Sequence, residues 1–184
     1  MHKPLIYIAL LSLLVTSCGK DQDPLLIQKQ NIGSLTDSTQ VKDLKLIFEN
    51  DSIVNYIGGD EFTRNINNID VYDKDGTALL SLSPEKRADS TAAFSSVRIL
   101  DARYKTEKGI STASTFKEIQ DAYEISKIDN LINSIVVSVD DINAAFTIDK
   151  KELPANLRFD RNLSIEASQI PDNAKVKYFF IYWN

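Results

Sequence analysis

Two stretches of this chain share one layout: GSLTDSTQVKDLKLIFE (residues 33–49) and GISTASTFKEIQDAYE (residues 109–124) each run from a glycine through a Ser/Thr-rich loop into an apolar-periodic segment. At an offset of 75 positions, Val41 aligns with Phe116, Lys42 with Lys117, Asp43 with Glu118, Leu44 with Ile119, Phe48 with Tyr123 and Glu49 with Glu124. The glycines are 76 apart, so the first loop carries one inserted residue. Val41, Leu44, Ile47 and Phe48 fall at helical spacing and lay one apolar stripe along a helix, which Phe116, Ile119, Ala122 and Tyr123 repeat. Thr115 and Glu118 stand at the reciprocal places of a capping box, whereas Thr39 faces Lys42 and predicts a weaker cap.

After each predicted helix the apolar period changes from 3.6 to 2. Residues 68–73 and 77–83 flank DKDG and read as a hairpin, and residues 94–104 follow as a long strand. The second half supplies strands over 131–139, 144–148 and 175–183, with IPDN turning the chain into the last. The pattern predicts an α+β body: an antiparallel sheet with two helices packed on one face, built from two repeated helix-then-meander units spanning about 31–104 and 105–184.

The N-terminus carries a different signal. Lys3 precedes an apolar run of eleven positions, 5–15, broken only by Ser12, and small polar Thr16 and Ser17 lead to Cys18. This is the outline of a secretory signal peptide, residues 1–17. A spanning helix needs about 20 apolar residues, so the run is too short to remain as an anchor. Residues 14–18, LVTSC, resemble the lipobox of bacterial lipoproteins. That resemblance implies a diacylglyceryl group on the Cys18 thiol, cleavage just before it and acylation of the new amino terminus. Gly19 occupies the place where an Asp would resemble an inner-membrane retention signal, so delivery to the outer membrane is expected, on its surface-exposed or periplasmic face. KDQD (residues 20–23) resembles the charged export tag of Bacteroidota-type surface lipoproteins. Residues 18–30 read as a lipidated tether, able to reach on the order of 40 Å when extended, and residues 31–184 as one domain.

Removal of residues 1–17 leaves 167 of the 184 residues, with 20 basic side chains against 26 acidic ones, no histidine, and no thiol beyond the acylated one. That subtraction excludes His-assisted nucleophiles and zinc sites built on Cys and His. An acidic chain without a dense basic stripe also argues against nucleic acid as a partner. Carboxylate pairs, Lys bases and Tyr acids survive. No cofactor is expected.

The glycine, Ser/Thr loop and short helix before an antiparallel sheet resemble the unit of the β-lactamase-inhibitor-protein-like fold, shared by some outer-membrane-assembly lipoproteins. Gly33 with Thr36 and Thr39, and Gly109 with Thr112 and Thr115, carry the likeness. RILDARYKTEKGISTASTFKEI (residues 98–119) and a final strand ending in Trp183 are similar to an uncharacterised family of exported lipoproteins, which implies a fold and no activity.

Four segments invite a functional reading. DVYDKDG (residues 70–76) places Asp73 and Asp75 before a glycine, but an EF-hand in that register needs oxygen ligands where Val71 and Leu82 stand, and Asp-Gly between alternating runs is a hairpin turn. ARYKTEKG (residues 102–109) gathers Arg103, Lys105 and Lys108 around Tyr104, a candidate contact loop for a carboxylate or an acidic protein surface. KVKYFFIYWN (residues 175–184) reads as a central strand buried on both faces, with partner binding by its aromatics as the minor option. Asp140 with Asp141, and Asp149 with Glu152, are carboxylates close in sequence.

The expectation is a membrane-anchored, non-enzymatic lipoprotein whose domain binds a protein or envelope component. A carboxylate-dependent envelope glycan hydrolase and a small-molecule carrier are the alternatives.

Overall fold

A computed structural model of the chain describes residues 23–55 and 68–183. The leader and Cys18 lie outside the described residues. In chain order the strands of the first half are β1 (Leu26–Ile27), β2 (Asn31–Ile32), β3 (Leu35–Thr36), β4 (Ser52–Asn55), β5 (Ile69–Tyr72), β6 (Ala78–Pro84), β7 (Phe94–Ile99) and β8 (Lys105–Thr106). Helix α1 (Leu44–Ile47) precedes β4. The second half holds α2 (Phe116–Ala122), β9 (Lys127–Asn130), β10 (Ser134–Val139), β11 (Ala144–Asp149) and β12 (Val176–Tyr182).

The body is α+β. Its main sheet is antiparallel throughout, in the order β4-β5-β6-β7-β12-β11-β10-β9. A small sheet, β3-β2-β1-β8, contains one parallel pair, β1 with β8. Strand register lines up one apolar row across the main sheet: Ile53, Val71, Leu80, Ile99, Phe179, Phe146, Val137 and Ile128 are successive cross-strand partners. Because side chains alternate between faces, this row and its neighbour Ile69, Leu82, Val97, Ile181, Ala144 and Val139 point one way. Leu44 and Phe48 at α1, and Phe116 and Ile119 in α2, complete the same buried cluster. Each such Phe, Leu or Ile contributes about 1.5–3 kcal/mol when fully buried.

The two helices start differently, as their caps predict. Thr115 accepts a hydrogen bond from the Glu118 backbone N–H while the Glu118 carboxylate accepts from the Thr115 N–H, and seven residues of α-helix follow. Thr39 does not cap: its hydroxyl oxygen accepts from the Thr36 N–H at 2.9 Å. The first helix therefore begins as a 3-10 turn, Val41–Asp43, and holds only four α residues.

Several boundaries differ from the sequence reading. Residues 25–30, assigned there to the tether, belong to the fold, because Ile27 is fully buried and β1 pairs with both β2 and β8. The indole N–H of Trp183 donates to the Lys29 carbonyl at 3.1 Å, closing this segment over the end of β12. The strand expected over 94–104 stops at Ile99: the Asp101 carboxylate accepts from the Arg103 N–H and turns the chain into β8. The run over 131–139 is a hairpin arm, with β9 before it and a turn at 131–133, closed by the Leu131 N–H donating to the Ser134 carbonyl. The terminal strand is central but buried on one face only, Phe179 and Ile181 being covered while Tyr182 is 43 % exposed. DKDG forms the expected hairpin turn, with Asp73 accepting from the backbone N–H groups of Asp75 and Thr77.

Both glycines of the repeated signature hold left-handed backbone, φ +54° at Gly33 and +82° at Gly109. At Gly33 a Cβ would also lie 2.2 Å from the Pro24 carbonyl oxygen, whereas at Gly109 it would meet open space. Gly109→Ala is expected to cost about 1–2 kcal/mol from its dihedral alone. Gly33→Ala should cost clearly more in the same urea titration, and equal losses would contradict the Pro24 contact.

Candidate functional site

The contact loop proposed from sequence is held to the body through most of its charges. Arg103 donates to Asp101 at 2.7 Å and to Asp73 at 2.8 Å, tying the loop to the β5–β6 turn. The Asp101 hydrogen bonds, then those of Asp73, raise the guanidinium further above its usual range. Asp73 is held below the ordinary carboxylate range, chiefly by the Thr77 N–H and then by Arg103, and Asp101 is lowered chiefly by Arg103. Lys108 donates to the Ala122 carbonyl at the end of α2 and sits 4.3 Å from the centre of the Tyr123 ring. The Lys105 side chain is exposed while its backbone N–H donates to Leu25. Tyr104 is buried and lines a cleft of about 250 Å³ with Pro24, Phe48, Asp51, Asp73 and Arg103.

Three of the four sequence-adjacent carboxylates are similarly engaged, and Asp141 is exposed. Asp140 accepts from the Ser126 hydroxyl at 2.8 Å, and Asp149 pairs with Lys177 at 2.8 Å. Glu152 accepts from the Lys175 backbone N–H. Among the described residues, no three carboxylates converge where a metal ion would sit.

A surface with different chemistry lies on the second face of the main sheet. The alternation that sends Val97 and Ile99 into the core sends Arg98 the other way, where its cross-strand partners are Ser81 and Phe180. The row continues through Asp70 on one side and Ala145 on the other. Arg98 places its guanidinium carbon 4.2 Å from the centre of the Tyr178 ring, within cation–π range. Its Nε is buried with no hydrogen-bond partner among the described residues. Phe180 and Tyr182 stack with ring centroids 6.2 Å apart.

Beside them runs a polar ladder. The Ser81 hydroxyl donates to Asp70 at 2.5 Å, Asn68 donates to the Ser81 hydroxyl, and Ser83 donates to Asn68. Tyr178, Phe180 and Tyr182 stand outside the core cluster. Sequence reasoning held partner binding by the aromatics of the terminal strand as the minor option and missed Arg98. The signal was present, an arginine alternating with Val97 and Ile99, but its partners come from strands 17 and more than 80 positions away.

No protein-family model matches the chain, and no curated protein matches it in sequence. Among solved structures, the crystal structure of the uncharacterized protein YfeY from Escherichia coli is similar, with a TM-score of 0.54 and 12 % sequence identity. The match covers 85 % of this chain and 98 % of YfeY, and shows a shared fold.

Burial, with Asp51 and Asp101 nearby, pushes the Tyr104 phenol from its ordinary value of 10.0 up to about 12. A raised phenol favours the folded state fully below the ordinary value, and that stabilisation fades as pH rises through 12. Absorbance titration of phenolate should show a late phase in wild type that shrinks in Tyr104→Phe; an unchanged late phase would contradict the burial of this ring.

Proposed function

We propose that this chain is a lipoprotein held on the outer membrane through Cys18, and that its α+β body binds another protein or envelope component without catalysing a reaction. The observation that carries the binding reading is the cluster of Arg98, Tyr178, Phe180 and Tyr182 on the face of the sheet away from the core. Arginine and tyrosine are the residues most enriched at the energetic centres of protein interfaces. The Arg98 guanidinium lies against the Tyr178 ring, and its buried Nε has no hydrogen-bond partner among the described residues. The anchor reading rests on the LVTSC motif after a leader too short to span a bilayer.

The body is further read as two repeated helix-then-meander units of the β-lactamase-inhibitor-protein-like kind. Three features support it: a left-handed glycine opens each unit, a helix and four antiparallel strands follow, and the last strands of the two units pair, β7 with β12.

The hydrolase alternative would use Asp51 and Asp73, which share the cleft under α1. A general acid needs a raised pKa, and the Thr77 N–H and Arg103 push Asp73 the opposite way. The carrier alternative predicts an enclosed apolar cavity between helices and sheet, whereas the cleft under α1 holds about 250 Å³ and is lined in part by the charged Asp51, Asp73 and Arg103.

A photo-crosslinking residue in place of Tyr182 should join the full-length protein to a discrete partner in intact cells, and Arg98→Ala should remove that adduct. Fatty-acid labelling that Cys18→Ala abolishes accompanies it. An adduct indifferent to Arg98→Ala would overturn the surface, and equal labelling of both forms the anchor. Turnover of envelope glycans or esters, lost on one carboxylate change, would overturn the non-enzymatic reading.

A further inference from the structure

Strand β11 sends Ala144, Phe146 and Ile148 to the core face, and the next residue in that alternation is Lys150. It opens a 3-10 turn, Lys150–Glu152, and is only 4 % exposed. Its Nζ is shielded from solvent and has no hydrogen-bond partner among the described residues. A buried ammonium without a counter-charge is among the costly arrangements a fold can hold.

Lys150 lines a surface cleft of about 640 Å³ together with Lys151, Arg158, Arg161 and Lys177. Asp149 is the carboxylate among the described lining residues, and Lys177 already pairs with it at 2.8 Å. Arg158 is fixed by its Nε donating to the Leu153 carbonyl at 2.7 Å. On a chain of formal charge −5 this concentration of cations is local and unbalanced. The lip is apolar: Ile132 is 65 % and Phe159 86 % exposed, and both line the cleft.

We propose that this cleft binds the phosphate of an anionic lipid headgroup. The phosphate neutralises Lys150 and accepts from the neighbouring guanidinium groups, chemistry for which arginine and lysine are suited, and the acyl portion meets Phe159 and Ile132. Placement favours a lipid as the source. Asp149 and Lys177 lie at the end of the sheet that also carries the β5–β6 turn and the end of β7, and Pro24 sits by that turn in the separate cleft lined by Tyr104 and Asp73. Since the fold begins at Leu25, six residues separate it from Cys18, a span of about 20 Å fully extended. The choice of a lipid rests on the anchored reading; the anion site itself rests on Lys150 and its cleft.

The test is thermal unfolding and binding of the full chain with short-chain phosphatidylglycerol, short-chain phosphatidylcholine and inorganic phosphate, all below micelle-forming concentrations. Phosphatidylglycerol is expected to raise Tm and to bind about tenfold more tightly than the other two, the scale of one charged hydrogen bond. Lys150→Met should abolish that gain and raise the ligand-free Tm, because it removes an unpaired buried charge. Arg161→Gln, at an exposed position, should weaken binding without moving the ligand-free Tm. No gain in wild type, or a gain kept in both variants, overturns the site. Inorganic phosphate binding as tightly as phosphatidylglycerol overturns the lipid assignment, independently of whether Cys18 is acylated.

Discussion

The antiparallel pairing of β7 with β12 holds this structure together. Ile99 and Phe179 meet there, joining two four-stranded meanders that are otherwise separate runs of chain into one sheet. Phe179 in turn stacks on Phe146 at 4.5 Å, and both rings are fully buried. Without that seam each half of the sheet would have an unpaired edge and a half-width apolar face, too little to exclude water from the shared core.

A continuous apolar row on one face releases the other. Since side chains alternate, fixing Val97, Ile99, Phe179 and Ile181 in the core places Arg98, Tyr178, Phe180 and Tyr182 on the opposite face, at the centre of the sheet. The seam that stabilises the fold therefore positions the candidate interface. The same arithmetic carries Lys150 inward at the end of β11, where strand alternation outlasts the strand itself. At the other end of β12, Trp183 reaches back to Lys29 and fastens the N-terminal segment to the body. Gly33 lets that segment pass close over Pro24.

The legible parts of the fold were those whose periodicity is strong and local. The capping box at Thr115 and Glu118, the Asp-Gly turn, and the alternation of β6, β10 and β11 are all written within a few residues. What escaped depended on distant partners. Strand β9 contains one apolar residue, Ile128, between Lys127 and Asp129, and exists because β10 offers it a ladder. Residues 25–30, with only three apolar positions and no sustained period, read as a tether until β8, some 80 positions on, pairs with Leu26 and Ile27. Lys150 lies within DKKE, which reads as a solvated charge run, and only the register of β11 turns it inward. The contact loop was visible as charge, but Asp73, the partner that holds Arg103, was read as part of a turn alone.

Native-state hydrogen exchange, resolved by residue, addresses the seam most directly. If β7 and β12 unite the two halves, the ladder amides of Val97, Ile99, Phe179 and Ile181 exchange only with global unfolding, while those of the outer strands β4 and β9 exchange faster through local opening. Exchange in which β9 to β11 open as a unit while β5 to β7 stay protected would show two independent bodies and contradict this account.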